Sequence, residues 1–469
     1  MQNKILYILT LFILTLLVTT HARSQAFVIH DVLASSPDAD ICDIEVDPFH
    51  NRICWQSPSD DKLWICHLDT VTWMLAVPDG REILVDSSLV PIEVSSNSSE
   101  WGYDHNGTYL VYSKDIDRKH YITVAYETGP LWVSTVLTDA AYRMNPHATQ
   151  NPDDMTCGIH YISTVAGNYT KYRFLDNPGT ERWIHNFVDA HWSRNEQILT
   201  GIRYNNRQVA LFDPNYNLFP IQITNNPGTK YSKPFMWRAP GEQNARMFFA
   251  VADGEKIRVF KETIPFSNDY AIYMSFTSPS LNPLYTKFGS PEPCVYDGQS
   301  YITFMTSSSE CETSCFPGEI WIAKLDSAAP LFRMVSDTSV AIRTDPETVE
   351  TADSLLVYYT EVIESPENPT IYRLKKCDTG IGLNPLTGNS EPGKEGHKRF
   401  LAYPNPFVQY IGLKGVRGDE HFELSDLFGR KIWAGKEIRQ ADFSGLRSGR
   451  YILKATLGDE VQIVGIVKD

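Results

Sequence analysis

The feature that most constrains this chain is a pattern repeated without a repeated sequence. From residue 27 to about 376, a polar turn follows an aromatic or apolar residue, and a short strand rich in β-branched and aromatic residues comes next. Segments of this kind begin at Ile44, Trp101, Tyr142, Ala190, Phe235, Pro293 and Ile342. Taking Asp47, Asp104, Asn145, Ser193, Ala239, Asp297 and Asp345 as equivalent turn positions spaces the units 41 to 58 residues apart. Further strand-like runs close the units, at 62–69, 120–127, 208–215, 256–262, 319–326 and 370–377. Apolar and polar residues alternate in them, so each unit makes a small sheet that must bury its faces against its neighbours. Units of this length with several strands each predict a β-propeller over 27–376. The count gives about seven blades, with six or eight also compatible.

Composition supports an all-β chain. Tyr, Phe and Trp number 24, 22 and 10, and there are 28 Gly and 28 Pro, a balance suited to strands and turns. The net charge of −15 sets the surface against nucleic acid and anionic membranes as partners.

The N-terminus reads as an export signal over residues 1–26. Lys4 precedes an apolar run from Ile5 to Val18 that is too short for a permanent span. Small residues Ser24 and Ala26 suit a peptidase site. No later segment reads as a transmembrane anchor. Eight cysteines follow the signal, and in an exported protein disulfides are the default expectation. Cys311 and Cys315 share one polar loop and form the candidate pair. Cys42, Cys54 and Cys66 fall in successive strand-like runs, where two of them are able to face each other. Residues 377–401 are rich in Gly, Pro, Asn, Ser and Lys and read as a linker.

Two units of the body, 188–215 and 223–260, resemble TolB-type and WD40-like propeller repeats. Their Ser-Pro-Asp-Gly turn is degraded here to Ser193-Arg194-Asn195-Glu196 and Arg238-Ala239-Pro240-Gly241. This resemblance bears on fold and leaves activity open.

The last segment, 402–469, carries ordered motifs. Tyr403-Pro404-Asn405-Pro406-Phe407 opens it. Leu424, Asp426, Leu427, Gly429, Arg430 and Lys431 follow, then Leu446, Ser448, Gly449 and Tyr451, with Lys468 near the end. These residues resemble the type A C-terminal sorting domain of type IX secretion cargo. The residues themselves suit a small Ig-like β-sandwich. The prolines remove ladder donors at its start, Gly429 serves a hairpin turn, and Leu446 and Tyr451 point inward. The resemblance implies a Bacteroidetes source and a route through the periplasm. The type IX machinery and a sortase-like peptidase would be partners, and the body would be secreted or attached to the cell surface.

The body contains no phosphate loop, zinc-protease helix, nucleophile elbow or calcium-binding EF-hand. The expected role is therefore a binding module for a glycan, peptide or protein, with no cofactor and no metal. The alternative is a secreted polysaccharide lyase. His147, His160, His185 and His191 crowd one stretch together with Arg203 and Tyr204. β-Elimination from a uronate needs a base, an acid and a cation to offset the carboxylate. His147, His160, His191, Arg203 and Tyr204 are thus the candidate catalytic set. The pairs Asp60-Asp61 and Asp153-Asp154 are calcium candidates in loops.

Overall fold

A computed structural model describes residues 31–382 and 401–468, except for short segments within both ranges. It divides into two compact units, the first ending at Gly382 and the second beginning at Leu383. Among the described residues there is no α-helix, only three single-turn 3-10 segments.

Among its described residues the first unit holds seven four-stranded antiparallel sheets. The first six are simple meanders of consecutive strands. Their innermost strands are Cys42–Asp47, Ser99–Asp104, Arg143–Ala148, Phe187–Trp192, Tyr231–Ala239 and Lys287–Tyr296. The seventh sheet contains Ile342–Glu350, Leu355–Ile363 and Ile371–Asp378, and its outer strand, Asp31–Leu33, comes from the start of the chain.

Second strands such as Arg52–Ser57 are buried along their whole length, because neighbouring sheets cover both of their faces. A chain of apolar cores results. Cys54, Leu63 and Ile65 of the first sheet meet Trp101, Tyr103 and Leu110 of the second. Tyr109, Val111 and Val124 meet Ile159 and Tyr161 of the third, whose Tyr172 meets Phe187 and Trp192 of the fourth. Ile202 and Leu211 meet Met236 and Phe248, Trp237 and Phe249 meet Phe288 and Phe304, and Met305 and Ile320 meet Val357 and Tyr359. The last core joins Leu356, Tyr358 and Leu374 of the seventh sheet to Ile44, Ile53 and Trp55 of the first. The result is an all-β, propeller-like fold. Within the second sheet one cross-strand position admits no side chain: a Cβ on Gly102 would stand 2.1 Å from the ring of its partner Tyr109.

Six of the seven innermost strands share one irregularity. The register slips by a residue between Cys42 and Glu45, Met144 and His147, Val188 and His191, Ser232 and Phe235, Gly289 and Glu292, and Thr344 and Glu347. The bulged residues Asp43, Asn145, Asp189, Lys233, Ser290 and Asp345 all have positive φ, between 38° and 56°. Asn145 and Asp345 are therefore not the hairpin turns that their Asx-Pro sequences suggest. They lie inside strands, at bulges where a following proline costs no ladder bond.

Other expectations are corrected as well. Cys377 belongs to the strand Ile371–Asp378, not to a linker. Cys42, Cys54, Cys66 and Cys377 are free thiols. Register explains why the first three do not pair: Cys54 lies opposite Glu45 and Ile65, and Cys66 opposite Ile53. Cys311 and Cys315 lie outside the described residues. So do Asp153-Asp154 and, in the second unit, Pro404 to Phe407 and Gly429.

The second unit contains a four-stranded sheet of His421–Asp426, Lys431–Gly435, Gly449–Leu457 and Glu460–Lys468. Leu401–Tyr403 pairs separately with Gly412–Lys414. Ile411, Phe422, Leu424, Ile438, Phe443, Tyr451 and Leu453 form its core, with Leu446 packed against it. The Tyr451 hydroxyl donates to the Arg447 carbonyl at 2.7 Å. Arg430 is exposed beyond the Asp426 strand end, and Lys468 is buried opposite Gly449.

Candidate functional site

The bulges aim side chains at a common interior space. Two cavities, of about 70 and about 170 Å³, share seven lining residues, one from each sheet: Glu45, Glu100, His147, His191, Phe235, Glu292 and Glu347. In six of the sheets this residue stands two places after the positive-φ bulge, so the backbone irregularity sets its direction. The larger cavity adds the bulge residues themselves, including Asp43, Asp189, Lys233 and Asp345, and reaches His160 and Thr170 on the third sheet.

On the side formed by the third to fifth sheets, acids and bases are interleaved. His147 Nδ1 lies 2.7 Å from Glu100 Oε1. Its ring stacks on His160 with centroids 4.7 Å apart and tilts toward His191 at 5.3 Å. His191 stacks in turn on Phe235 at 5.2 Å. Its Nε2 stands 3.8 Å from Asp189 Oδ1, and the Lys233 backbone N–H donates to Asp189 Oδ2 at 2.5 Å. Burial works against a charged Asp189, but His191 and the Lys233 N–H outweigh it and hold its carboxyl below the usual range. His160 donates through Nε2 to the Ala190 carbonyl at 2.6 Å. Burial, with His147 and His191 nearby, pushes its pKa well below that of an ordinary imidazole. It is therefore neutral, with Nδ1 as an acceptor, and that atom is buried without a hydrogen-bond partner.

The side formed by the first, sixth and seventh sheets is acidic. Asp345 is hydrogen-bonded to Asp43, and burial together with Asp43, Glu347 and Glu292 pushes its carboxyl well up. Glu45 is pushed up in the same direction by burial and by Glu100, Glu347, Asp345 and Asp43. Asp345 Oδ2 is buried without a hydrogen-bond partner.

The structure thus brings His147, His160 and His191 together. It does not bring Arg203 or Tyr204 to them. Arg203 ends a second strand opposite Phe187, Tyr204 is 58% exposed just beyond it, and neither lines the cavity. His185 is exposed as well. Arg203 and Tyr204, the cation and the acid of the lyase reading, are thus not among the residues that line the cavity. Asp60 and Asp61 lie between two strands of the first sheet, with Asp60 paired to Lys62 at 2.6 Å. Among the described residues no three His, Cys, Asp or Glu side chains form a metal-binding group.

Sequence reasoning misses the seven-residue ring. A signal for it exists: Asn145-Pro146-His147, Lys233-Pro234-Phe235, Ser290-Pro291-Glu292 and Asp345-Pro346-Glu347 repeat one local design in four sheets.

No protein-family model matches the chain, and no curated protein does. Solved structures do. The chain is similar to a prolyl endopeptidase at 11% identity, over 88% of this chain and 54% of that one, with a TM-score of 0.41. It spans about half the length of that enzyme. It is similar to the dihydro-heme d1 dehydrogenase NirN at 10% identity, over 76% and 75% of the two chains, with a TM-score of 0.41. It is also similar to the sialidase of Trypanosoma rangeli at 9% identity, over 94% and 89%, with a TM-score of 0.37.

Proposed function

We propose that this chain is an exported binding protein whose body is a seven-bladed propeller with its ligand site on the ring axis. The seven sheets and the seven cores that link them, the last returning to the first, support the blade count. The N-terminal apolar run and the C-terminal motifs support export to the periplasm and onward delivery by the type IX system. The final unit would be the Ig-like sorting sandwich. One observation carries the binding role: every sheet contributes one side chain to a single interior ring, and in six of them a bulge is the means of doing so. Bulges of this kind re-aim side chains, and repeating one around an axis is an expensive way to build a mere core.

A binding screen of the full chain against peptides, neutral and charged oligosaccharides and small amines tests this reading. At least one class should raise the melting temperature in a concentration-dependent way. Filling the larger cavity with Ser290→Trp should abolish that rise while the variant still melts cooperatively. Binding that survives the filled cavity, or no binding by any class, would count against an axial site.

A further inference from the structure

The basic groups around the axis are confined to one side. His147, His160, His191 and Lys233 all come from the third to fifth sheets. The first, sixth and seventh sheets line the cavity with Asp43, Glu45, Glu292, Asp345 and Glu347, and with no Lys, Arg or His. Two buried acceptor atoms of the larger cavity, Asp345 Oδ2 and His160 Nδ1, have no hydrogen-bond partner, whereas the buried Lys233 ammonium in the same lining is a cationic donor on the side away from Asp345. The Thr170 hydroxyl, also buried and without a partner, lines the same space. A site with acceptors to fill and an acidic wall calls for a ligand that is cationic and rich in N–H.

We propose that the larger cavity receives a primary ammonium group on a short stem, seated against Asp345 and Asp43, and that its arrival displaces the proton these two carboxyls share. The proposal rests on the axial cavity being the ligand site. Size fits: a cavity of about 150 Å³ takes a benzene-sized group, so about 170 Å³ takes an ammonium with several carbons of its stem. Phe235, stacked on His191, offers the stem an apolar face. A bare divalent cation fits less well, because the described carboxyl and imidazole groups do not converge to coordinate one. A guanidinium is a flat fork that wants one carboxylate squarely facing it, whereas the accepting atoms here come from the third and seventh sheets. An ammonium presents three rotatable donors.

The proton balance follows from the carboxyl pair. The Asp43–Asp345 hydrogen bond requires one proton between two carboxyls. Glu45, Glu292 and Glu347 and the thiol of Cys42 face the pair, with Lys233 on the far wall. This acidic surrounding keeps the proton in place while the cavity lacks a ligand cation. When an ammonium supplies positive charge and N–H donors, the proton leaves to a buffer base, and two carboxylates remain against one ammonium.

Titration calorimetry on the full chain tests this. The probes are Nα-acetyl-lysine amide, for a peptide source, and glucosamine, for an amino sugar. Each is paired with its neutral N-acetylated counterpart, and calcium chloride forms a separate arm. At neutral pH one of the amines should bind, with its neutral counterpart at least about tenfold weaker. The apparent heat should differ between phosphate and Tris as expected for proton release. Asp345→Asn should weaken binding at least about tenfold and remove the buffer dependence, and Glu45→Gln provides a second variant should the first not melt like the parent. Equal affinity for the neutral counterparts, amine binding without any buffer dependence, or calcium binding in place of the amines would overturn the proposal. If oligosaccharides or neutral peptides bind and Ser290→Trp blocks them while the amines do nothing, the axial site stands and this inference fails. If nothing binds, both fail.

Discussion

Glu181 shows what one half-buried carboxylate does in this fold. It accepts from Arg143 through two nitrogens at 3.0 Å each, from the Tyr161 hydroxyl at 2.8 Å, and from Lys171. Burial alone would raise its pKa, but Arg143, Lys171 and Tyr161 outweigh it and bring the value down to about 2. A carboxyl depressed in the folded state stabilises at pH values above its ordinary pKa, and that stability is lost as the pH falls toward the folded value. A tenfold change in proton affinity is worth about 1.4 kcal/mol, so Glu181→Gln should cost about 3 kcal/mol at neutral pH. The gap between variant and parent should close between about pH 4 and pH 2 in denaturant titrations. A gap that does not change with pH would assign the cost to packing. None of this is legible in the sequence, because Glu181 sits in a polar stretch that reads as solvated loop. The same limit hides the axial carboxylates. An acid such as Glu45 or Glu347 in an alternating strand looks like a water-facing residue, and nothing local says that the water-facing side is the inside of a ring. The histidines stand out through their density alone. Arg203 and Tyr204 group with them only because closeness in sequence stands in for closeness in space.

At the level of elements, strands and turns are legible wherever alternation and turn chemistry agree. The third strands show in the sequence for six of the seven sheets, at 62–69, 120–127, 208–215, 256–262, 319–326 and 370–377. The seventh, Tyr169–Phe174, does not. Failures come where a local rule meets a global need. Asn145-Pro146 and Asp345-Pro346 have turn chemistry, yet the fold uses them as bulges. The closing strand Asp31–Leu33 is three residues long, too short to carry a pattern, and its partner lies at the opposite end of the body. It pairs with Leu33 opposite Lys375 and Asp31 opposite Cys377. Asp31 also accepts from the Tyr359 hydroxyl and lies 3.3 Å from Lys375 Nζ. This strand fastens the first residues of the body to its last sheet, so its loss exposes a ladder edge and opens the ring closure. A chain beginning after Leu33 should lose on the order of 2–4 kcal/mol, the sum of a few backbone bonds and one buried charge-assisted contact. Thermal melts of the two chains measure it. Equal melting temperatures would mean that the core joining the seventh and first sheets holds the ring shut without the strand.

For the whole molecule the question is whether body and tail are separable. The tail closes its own core, with Phe422, Leu424, Tyr451 and Leu453 meeting Ile411, Ile438 and Phe443. The body closes its sheets through the seventh-to-first core, which needs nothing beyond Leu374. Each of these cores is closed by residues of its own unit, so each unit is expected to hold its fold when the chain is cut between them. If the tail is an address, its removal should change location and leave stability alone. Deleting Ala402 to Asp469 should leave the body's melting temperature within about a degree of its value in the full chain. In a host with type IX secretion, cell fractionation should find the truncated body in the periplasm. The full-length product should appear on the surface or in the medium, with the tail removed. A truncated chain that reaches the outside at normal levels would show that the sandwich is structural. A truncated chain that melts many degrees lower would show that the two units lean on each other for stability, and its retention would then say nothing about an address.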